Sequence, residues 1–168
     1  MEINVLRGDI TTLEMDAIVN AANNRLTPGG GVCGAIFQAA GPELVDACQA
    51  IGHCNTGEAV ITKGFKLPAK HIVHTVGPVW CGGGEDEEEK LASCYRSCLE
   101  LATKKKLSRL AFPAISTGIY GFPAERAVKI AIETVKTWAE ENSSSLKQVI
   151  FCCFDGDTER FYRANLQL

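Results

Sequence analysis

The sequence has no apolar run approaching the ~20 residues that a bilayer-spanning helix needs. Its opening residues, Met1-Glu2-Ile3-Asn4, lack the basic and apolar regions of a secretory leader. A cytosolic protein with no membrane partner is the expectation. There is no excess of positive charge: 17 Lys and Arg stand against 20 Asp and Glu, a formal net charge of −3. Without clustered cations, such a chain has no general attraction for a nucleic-acid backbone. Eight cysteines are present, but no CxxC pair and no Cys/His spacing of the zinc-finger kind, so no metal site is expected. Free thiols are expected instead. The chain also lacks GxxxxGK[ST], so no lysine is poised on a terminal phosphate, and it lacks the GxSxG elbow of serine hydrolases.

What remains is 168 residues, 46% apolar and 22% charged, the profile of one soluble globular domain over residues 1–168. Strands are predicted at Ile3–Leu6, Ala17–Val19, Ala59–Thr62, His71–Val76, Arg109–Phe112 and Gln148–Phe154. Helices are predicted at Val32–Ala40, Glu43–Ile51, Glu87–Lys105, Pro123–Glu141 and Asp157–Leu168. Pro123 suits a first helical turn, where its missing N–H costs nothing. The acidic run Glu85–Glu89 and the basic run Lys104-Lys105-Lys106 sit at opposite ends of one predicted helix, each matching the dipole there. Cys94 and Cys98 fall on its apolar face with Leu91 and Tyr95. The alternation of strands and helices predicts an α/β fold, a mixed sheet with helices on both faces. Ligands of such folds bind at the carboxyl ends of strands.

Two glycine loops follow strands and open helices. The first runs from Asn20 to Gly31 and leads into the helix at Val32; the second is Ser116-Thr117-Gly118-Ile119-Tyr120-Gly121, leading to Pro123. Glycine lets backbone N–H groups approach an anion, and the helix N-terminus favours negative charge. The loops carry few charges, which suits a diphosphate clamped between amides better than a metal-bound triphosphate. Asp9 follows the first strand, either to cap a turn at Thr11-Thr12 or to accept a hydrogen bond from an exocyclic amine. Phe154 ends the last strand, either as core or as a platform for a base. A different hydrolase reading would take Ser116 or Cys33 as nucleophile and His71 or His74 as base.

Six blocks in order carry a family likeness: Gly8-Asp9-Ile10-Thr11, Val19-Asn20-Ala21-Ala22-Asn23, Gly29-Gly30-Gly31-Val32, Ala39-Ala40-Gly41-Pro42, His74-Thr75-Val76-Gly77-Pro78 and Ser116 to Gly121. Together they span nearly the whole chain. The sequence resembles the macrodomain family, nearest its branch of O-acetyl-ADP-ribose deacetylases and mono-ADP-ribosyl hydrolases. The resemblance implies a three-layer α/β/α sandwich with a central mixed sheet and ADP-ribose in a surface cleft. It gives Asp9 the adenine amine, with Ile10 beside it, and Phe154 the adenine face. Gly30, Gly31 and Val32 would meet the diphosphate and distal ribose from one side. Ser116, Thr117, Gly118, Ile119 and Tyr120 would meet them from the other. Asn20 would shape the floor, Ala21 would line it, and Asn23 would reach the distal ribose. Asn23, Cys33 and Tyr120 are the catalytic candidates. The implied ligands are ADP-ribose, its O-acetyl ester and mono-ADP-ribosylated proteins, with no cofactor. There are two departures: the branch's usual aspartate is Cys33 here, and its usual histidine is Phe37. Binding through backbone amides should survive both, while hydrolysis should be weakened.

Overall fold

Ala17, Ile18 and Val19 have no exposed surface on either side, the mark of a central strand covered on both faces. The computed structural model describes residues 1–167. In it the chain runs β1 (Glu2–Arg7), a 3-10 turn (Ile10–Thr12), β2 (Ala17–Ala21), α1 (Gly31–Ala40), α2 (Glu43–Ile51), β3 (Ala59–Lys63), β4 (His71–Thr75), α3 (Glu87–Lys104), β5 (Arg109–Phe112), α4 (Ala124–Glu141), β6 (Gln148–Cys153) and α5 (Gly156–Leu166). The strands order as β1-β6-β5-β2-β4-β3. β3 alone is antiparallel to its neighbour, pairing Ala59 with Thr75 and Lys63 with His71.

Side-chain alternation along the strands divides the interior into two cores. Val19, Leu110, Phe112, Val149 and Phe151 point to one face and pack against α3, α4 and α5. There Phe151 stacks on Tyr162 of α5, with ring centroids 4.7 Å apart. Ile18, Ile72, Ala111 and Ile150 point to the other face and pack against α1 and α2. Cys94 and Cys98 are buried in the first core, and all eight cysteines are free. Truncating the fully buried Leu110 to Ala would cost about 2–5 kcal/mol.

The observed elements refine several expected boundaries. Pro123 occupies the N-cap of α4 rather than its first turn, because its ψ of 122° is extended. Val76 leaves β4 and bridges to Thr56 instead. Phe154 lies beyond β6. The last helix begins at Gly156 and ends at Leu166; the expected end at Leu168 lies outside the described residues. Glu85 and Asp86 precede α3 rather than open it, and Asp86 takes a left-handed φ of 63°.

The topology determines where a ligand can sit. β2, β5 and β6 are parallel neighbours, so their carboxyl ends share one edge of the sheet. Each then feeds a helix. The chain leaving β2 turns to α1 on one face, while the chains leaving β5 and β6 turn to α4 and α5 on the other. Diverging chains at neighbouring strands open a crevice between them.

Candidate functional site

A cleft of about 660 Å³ lies at that edge. Gly8, Asp9 and Ile10 line it after β1, Phe154 and Asp155 after β6, Pro113 to Tyr120 after β5, Ala21 at the end of β2 with Ala22, Asn23 and Gly29 to Cys33 after it, and Gly77 after β4. No lysine, arginine or histidine is among these lining residues. Any anion held here must be met by neutral donors, backbone N–H groups and the side chains of Asn23, Thr117 and Tyr120 among them.

The first loop supplies such dipoles through the start of α1. Gly30 is the N-cap and offers no side chain, and no acidic residue stands in the first turn. The N–H groups of Gly31, Val32 and Cys33 therefore have no intrahelical partner and carry the positive end of the helix dipole. Gly34 secures this geometry: a Cβ there would lie 2.4 Å from the carbonyl oxygen of Gly29. The run Gly29-Gly30-Gly31-Val32-Cys33-Gly34 spells G-x-G-x-x-G. The pattern is complete only when Gly34, inside the helix, is counted with the loop, and this third glycine permits the close approach seen here.

The second loop is held from within by Phe122 N–H to Ser116 O (2.9 Å) and Gly121 N–H to Gly118 O (3.0 Å). No hydrogen bond among the described residues uses the N–H groups of Thr117 to Tyr120. Ser116 adopts a left-handed φ of 67°, a strained state for a side-chain-bearing residue. Its hydroxyl is buried without a partner. It packs so closely on Gly77 that a Cβ there would lie 2.1 Å from Ser116 Oγ. Gly77 is thus the residue that lets the second loop approach β4.

The end of the cleft near β1 and β6 is chemically different. Asp9 Oδ1 accepts from Thr11 N–H (2.9 Å) and Thr11 Oγ1 (2.7 Å), capping the 3-10 turn. Its second oxygen accepts no hydrogen bond among the described residues. Asp9 is therefore the turn cap expected from its position, with one carboxylate oxygen left free on the cleft wall. Phe154 is 89% exposed, as is Ile119 on the second loop, so Phe154 is no core residue. Asp155 caps α5, accepting from Thr158 N–H at 2.8 Å. That hydrogen bond is the main cause holding its carboxyl below the usual range. Asp155 was not singled out from the sequence, although its junction repeats the strand-to-helix context of the two glycine loops.

Beneath the opposite end lies a buried polar chain. Asn20 is fully buried and lies behind the lining residues rather than among them. Its Nδ2 donates to His74 Nδ1 (3.0 Å) and points at Cys33 Sγ (3.8 Å). His74 Nε2 then faces Thr62 Oγ1 at 3.0 Å. Burial holds His74 down to about 4, so it is neutral. His71 Nδ1 faces the Asp16 carbonyl at 3.3 Å, at the amino end of β4 and the far edge of the sheet. Neither histidine reaches Ser116 or the cleft, so the alternative base-and-nucleophile reading has no geometry behind it. Cys33 lines the cleft but is only 5% exposed. Burial raises its thiol above the ordinary value and outweighs the hydrogen bonds of Asn20 and Gly29. Phe37, one turn along α1, is buried in the same core. Asn23 lines the cleft while clamping its own loop: Nδ2 donates to Thr27 O (2.8 Å), and Oδ1 accepts from Thr27 N–H (3.1 Å).

The sequence profile described as Macro domain matches residues 19–131. The chain belongs to the macro domain family. This macrodomain is 54% identical over 163 residues to a macro domain-containing protein of Chlorobaculum tepidum, covering 96% of this chain and 94% of that protein. It is 52% identical over 164 residues to a protein of Salmonella gallinarum named O-acetyl-ADP-ribose deacetylase, covering 95% and 91%. Among solved structures, the Oceanobacillus iheyensis macrodomain with ADP superposes with a TM-score of 0.92 at 45% identity, covering 97% of this chain and 88% of that one. The Trypanosoma brucei macrodomain in complex with ADP-ribose gives 0.93 at 42% identity, covering 98% and 69%. The α/β fold with its mixed sheet is therefore the family fold. No described helix of this macrodomain is long and apolar enough to cross a membrane.

Of the sequence-derived site residues, the macrodomain brings Asp9, Ile10, Ala21, Asn23, Gly30, Gly31, Val32, Cys33, Ser116, Thr117, Gly118, Ile119, Tyr120 and Phe154 to one cleft. Asn20 stands apart, one layer beneath.

Proposed function

We propose that this macrodomain binds ADP-ribose in the cleft and slowly hydrolyses an ester at its distal ribose, on O-acetyl-ADP-ribose or a mono-ADP-ribosylated protein. The observation that carries the binding reading is the polarity of an otherwise cation-free cleft. One end has a free carboxylate oxygen on Asp9 beside an exposed Phe154, fitting an amine-bearing aromatic base. The middle has unpaired N–H groups of Gly31 to Cys33 facing those of Thr117 to Tyr120, fitting a diphosphate. The far end has Asn23 and Cys33, within reach of a second sugar. The ADP of the Oceanobacillus macrodomain has the base and the diphosphate in this order, and the ADP-ribose of the Trypanosoma macrodomain adds the second sugar.

Hydrolysis rests on the likeness to the Salmonella deacetylase and on Asn23, Cys33 and Tyr120 at the distal end. Water would attack the acyl carbon and release ADP-ribose and the free acid. A carboxylate base is absent there, and a buried thiol holds its proton at neutral pH, which makes the reaction slow. The same observation favours the second reading, a binding module without chemistry. ADP-ribose is expected to bind in the micromolar range, on the order of 8 kcal/mol, with AMP far weaker. Titration calorimetry tests the binding: no heat and no thermal shift at millimolar ADP-ribose would overturn it. Acid release from O-acetyl-ADP-ribose at the uncatalysed rate would leave the binding module.

A further inference from the structure

The second glycine loop is braced from behind by a segment that takes no part in lining the cleft. Among the described residues, a single backbone hydrogen bond ties Ser116–Gly121 to anything beyond Phe122: Trp80 N–H donates to the Tyr120 carbonyl at 2.8 Å. The Trp80 ring is itself fixed on several sides. Phe122 meets it with centroids 4.7 Å apart, tilted 55°. The Arg126 guanidinium lies over its face, 5.3 Å from the centroid, and is paired with Glu88 of α3. On a further side the chain turns at Gly83, with φ of 92°; a Cβ there would lie 3.1 Å from Trp80 Cη2.

That turn has its own anchor. The buried Glu87 carboxylate accepts from the N–H groups of Cys81 (2.8 Å), Gly83 (2.8 Å) and Glu85 (2.5 Å). Burial pushes this carboxyl up, and the three N–H groups together with its own outweigh burial and hold it at about 2. The Cys81–Asp86 segment is thereby wrapped around the start of α3, and Trp80 is pressed between it and α4.

We propose that Trp80 is a positioning residue for the second glycine loop: its ring, seated against Phe122, Arg126 and Gly83, sets the backbone that holds the Tyr120 carbonyl. The free amides of Thr117 to Tyr120 thus meet a diphosphate already in place. This rests on the ADP-ribose reading for its functional consequence, but the ordering of the loop is a property of the free protein. A loop whose competent conformer falls to about a tenth of the population raises the apparent Kd about tenfold.

The test uses Trp80→Leu, which fills most of the volume but offers no ring, and Trp80→Phe, which restores one. Backbone 15N order parameters of Gly118 to Gly121 are measured without ligand, and Kd for ADP-ribose and AMP with it. Trp80→Leu is expected to drop those order parameters from about 0.85 to below about 0.6. It should weaken ADP-ribose about tenfold and leave AMP, which has no second phosphate, unchanged; Trp80→Phe should recover most of both losses. Unchanged order parameters in Trp80→Leu would overturn the proposal, as would equal losses for ADP-ribose and AMP. Wild type failing to bind ADP-ribose would instead overturn the functional reading, and the order parameters would still decide the role of Trp80.

Discussion

Replacing Cys33 by aspartate separates slow chemistry from no chemistry. Burial holds the thiol above its ordinary value and outweighs the hydrogen bonds of Asn20 and Gly29, so at pH 7 it keeps its proton. An aspartate at this third position of α1 is favoured as an anion by the helix N-terminus, and Asn20 Nδ2, now 3.8 Å from Sγ, could donate to it. The Thr27 carbonyl, 3.7 Å from Sγ, opposes the charge. The same burial raises such a carboxyl too, but from a far lower starting point, so at pH 7 it is ionised where the thiol is not, and the occupancy of a competent base rises. A thiolate is the stronger base per molecule, which returns part of that difference. The expected gain in initial rate is up to about 100-fold, the lower bound of what a positioned base contributes. Rates of wild type, Cys33→Asp and Cys33→Ala are measured on O-acetyl-ADP-ribose and on a mono-ADP-ribosylated acidic side chain, from pH 6 to about 10. Any wild-type rate carried by the thiolate should climb with pH and still be rising above 9; the aspartate variant should be flat. Equal robust rates for wild type and Cys33→Ala would refute the reasoning, because this position would then not activate water.

Asp9→Ala should weaken ADP-ribose at least tenfold, since a charge-assisted bond to adenine contributes roughly 1.5–3 kcal/mol. It should also lower Tm by a few degrees through the lost cap. Asp9→Asn, which can keep the Thr11 bond, separates the two effects: unchanged affinity in both variants would leave Asp9 a turn cap only. Gly77→Ala drives a methyl into Ser116 Oγ and Ile115 Cγ2, 2.1 and 2.7 Å away, so calorimetry should show ADP-ribose binding lost or sharply weakened. Full affinity would mean that the second loop does not need its seat on β4. The folded-state value of His74 lies below its unfolded one, at about 4. The stability this contributes is present above pH ~6.5 and lost as pH falls through 4, a span worth about 3 kcal/mol. Urea titrations of wild type against His74→Gln should show that acid slope only in wild type.

Much of this arrangement was legible in the residues. Strand, glycine loop and helix followed one another twice, alternation marked the strand at Ala59–Thr62, and the short runs Ala17–Val19 and Arg109–Phe112 were legible as strands, the second of them buried. Local pattern carries such information because helix and strand periods are set by near neighbours. Sheet order is not local: β1 pairs with β6 across most of the chain, and nothing in either segment names its partner. The antiparallel placement of β3 was equally silent. Asp9 was ambiguous for a physical reason, because capping a turn and presenting a free oxygen require the same short carboxylate. Asn20 could be placed at a strand end, but its position beneath the cleft depends on His74 and Cys33 from other elements. The third junction at Asp155 went unread because its loop has no glycine run, and Trp80 because Phe122 and Arg126, which meet its ring, come from a distant part of the chain.

The central claim is that ADP-ribose lies between two sets of backbone amides in the cleft. A 15N-amide NMR titration with ADP-ribose tests it most directly. Saturable shifts are expected at Gly31 to Cys33, Thr117 to Tyr120 and the Phe154–Asp155 junction, with none at the far edge of the sheet around Lys63 and Lys70. Saturable shifts confined to another surface, or none at millimolar ligand, would contradict it.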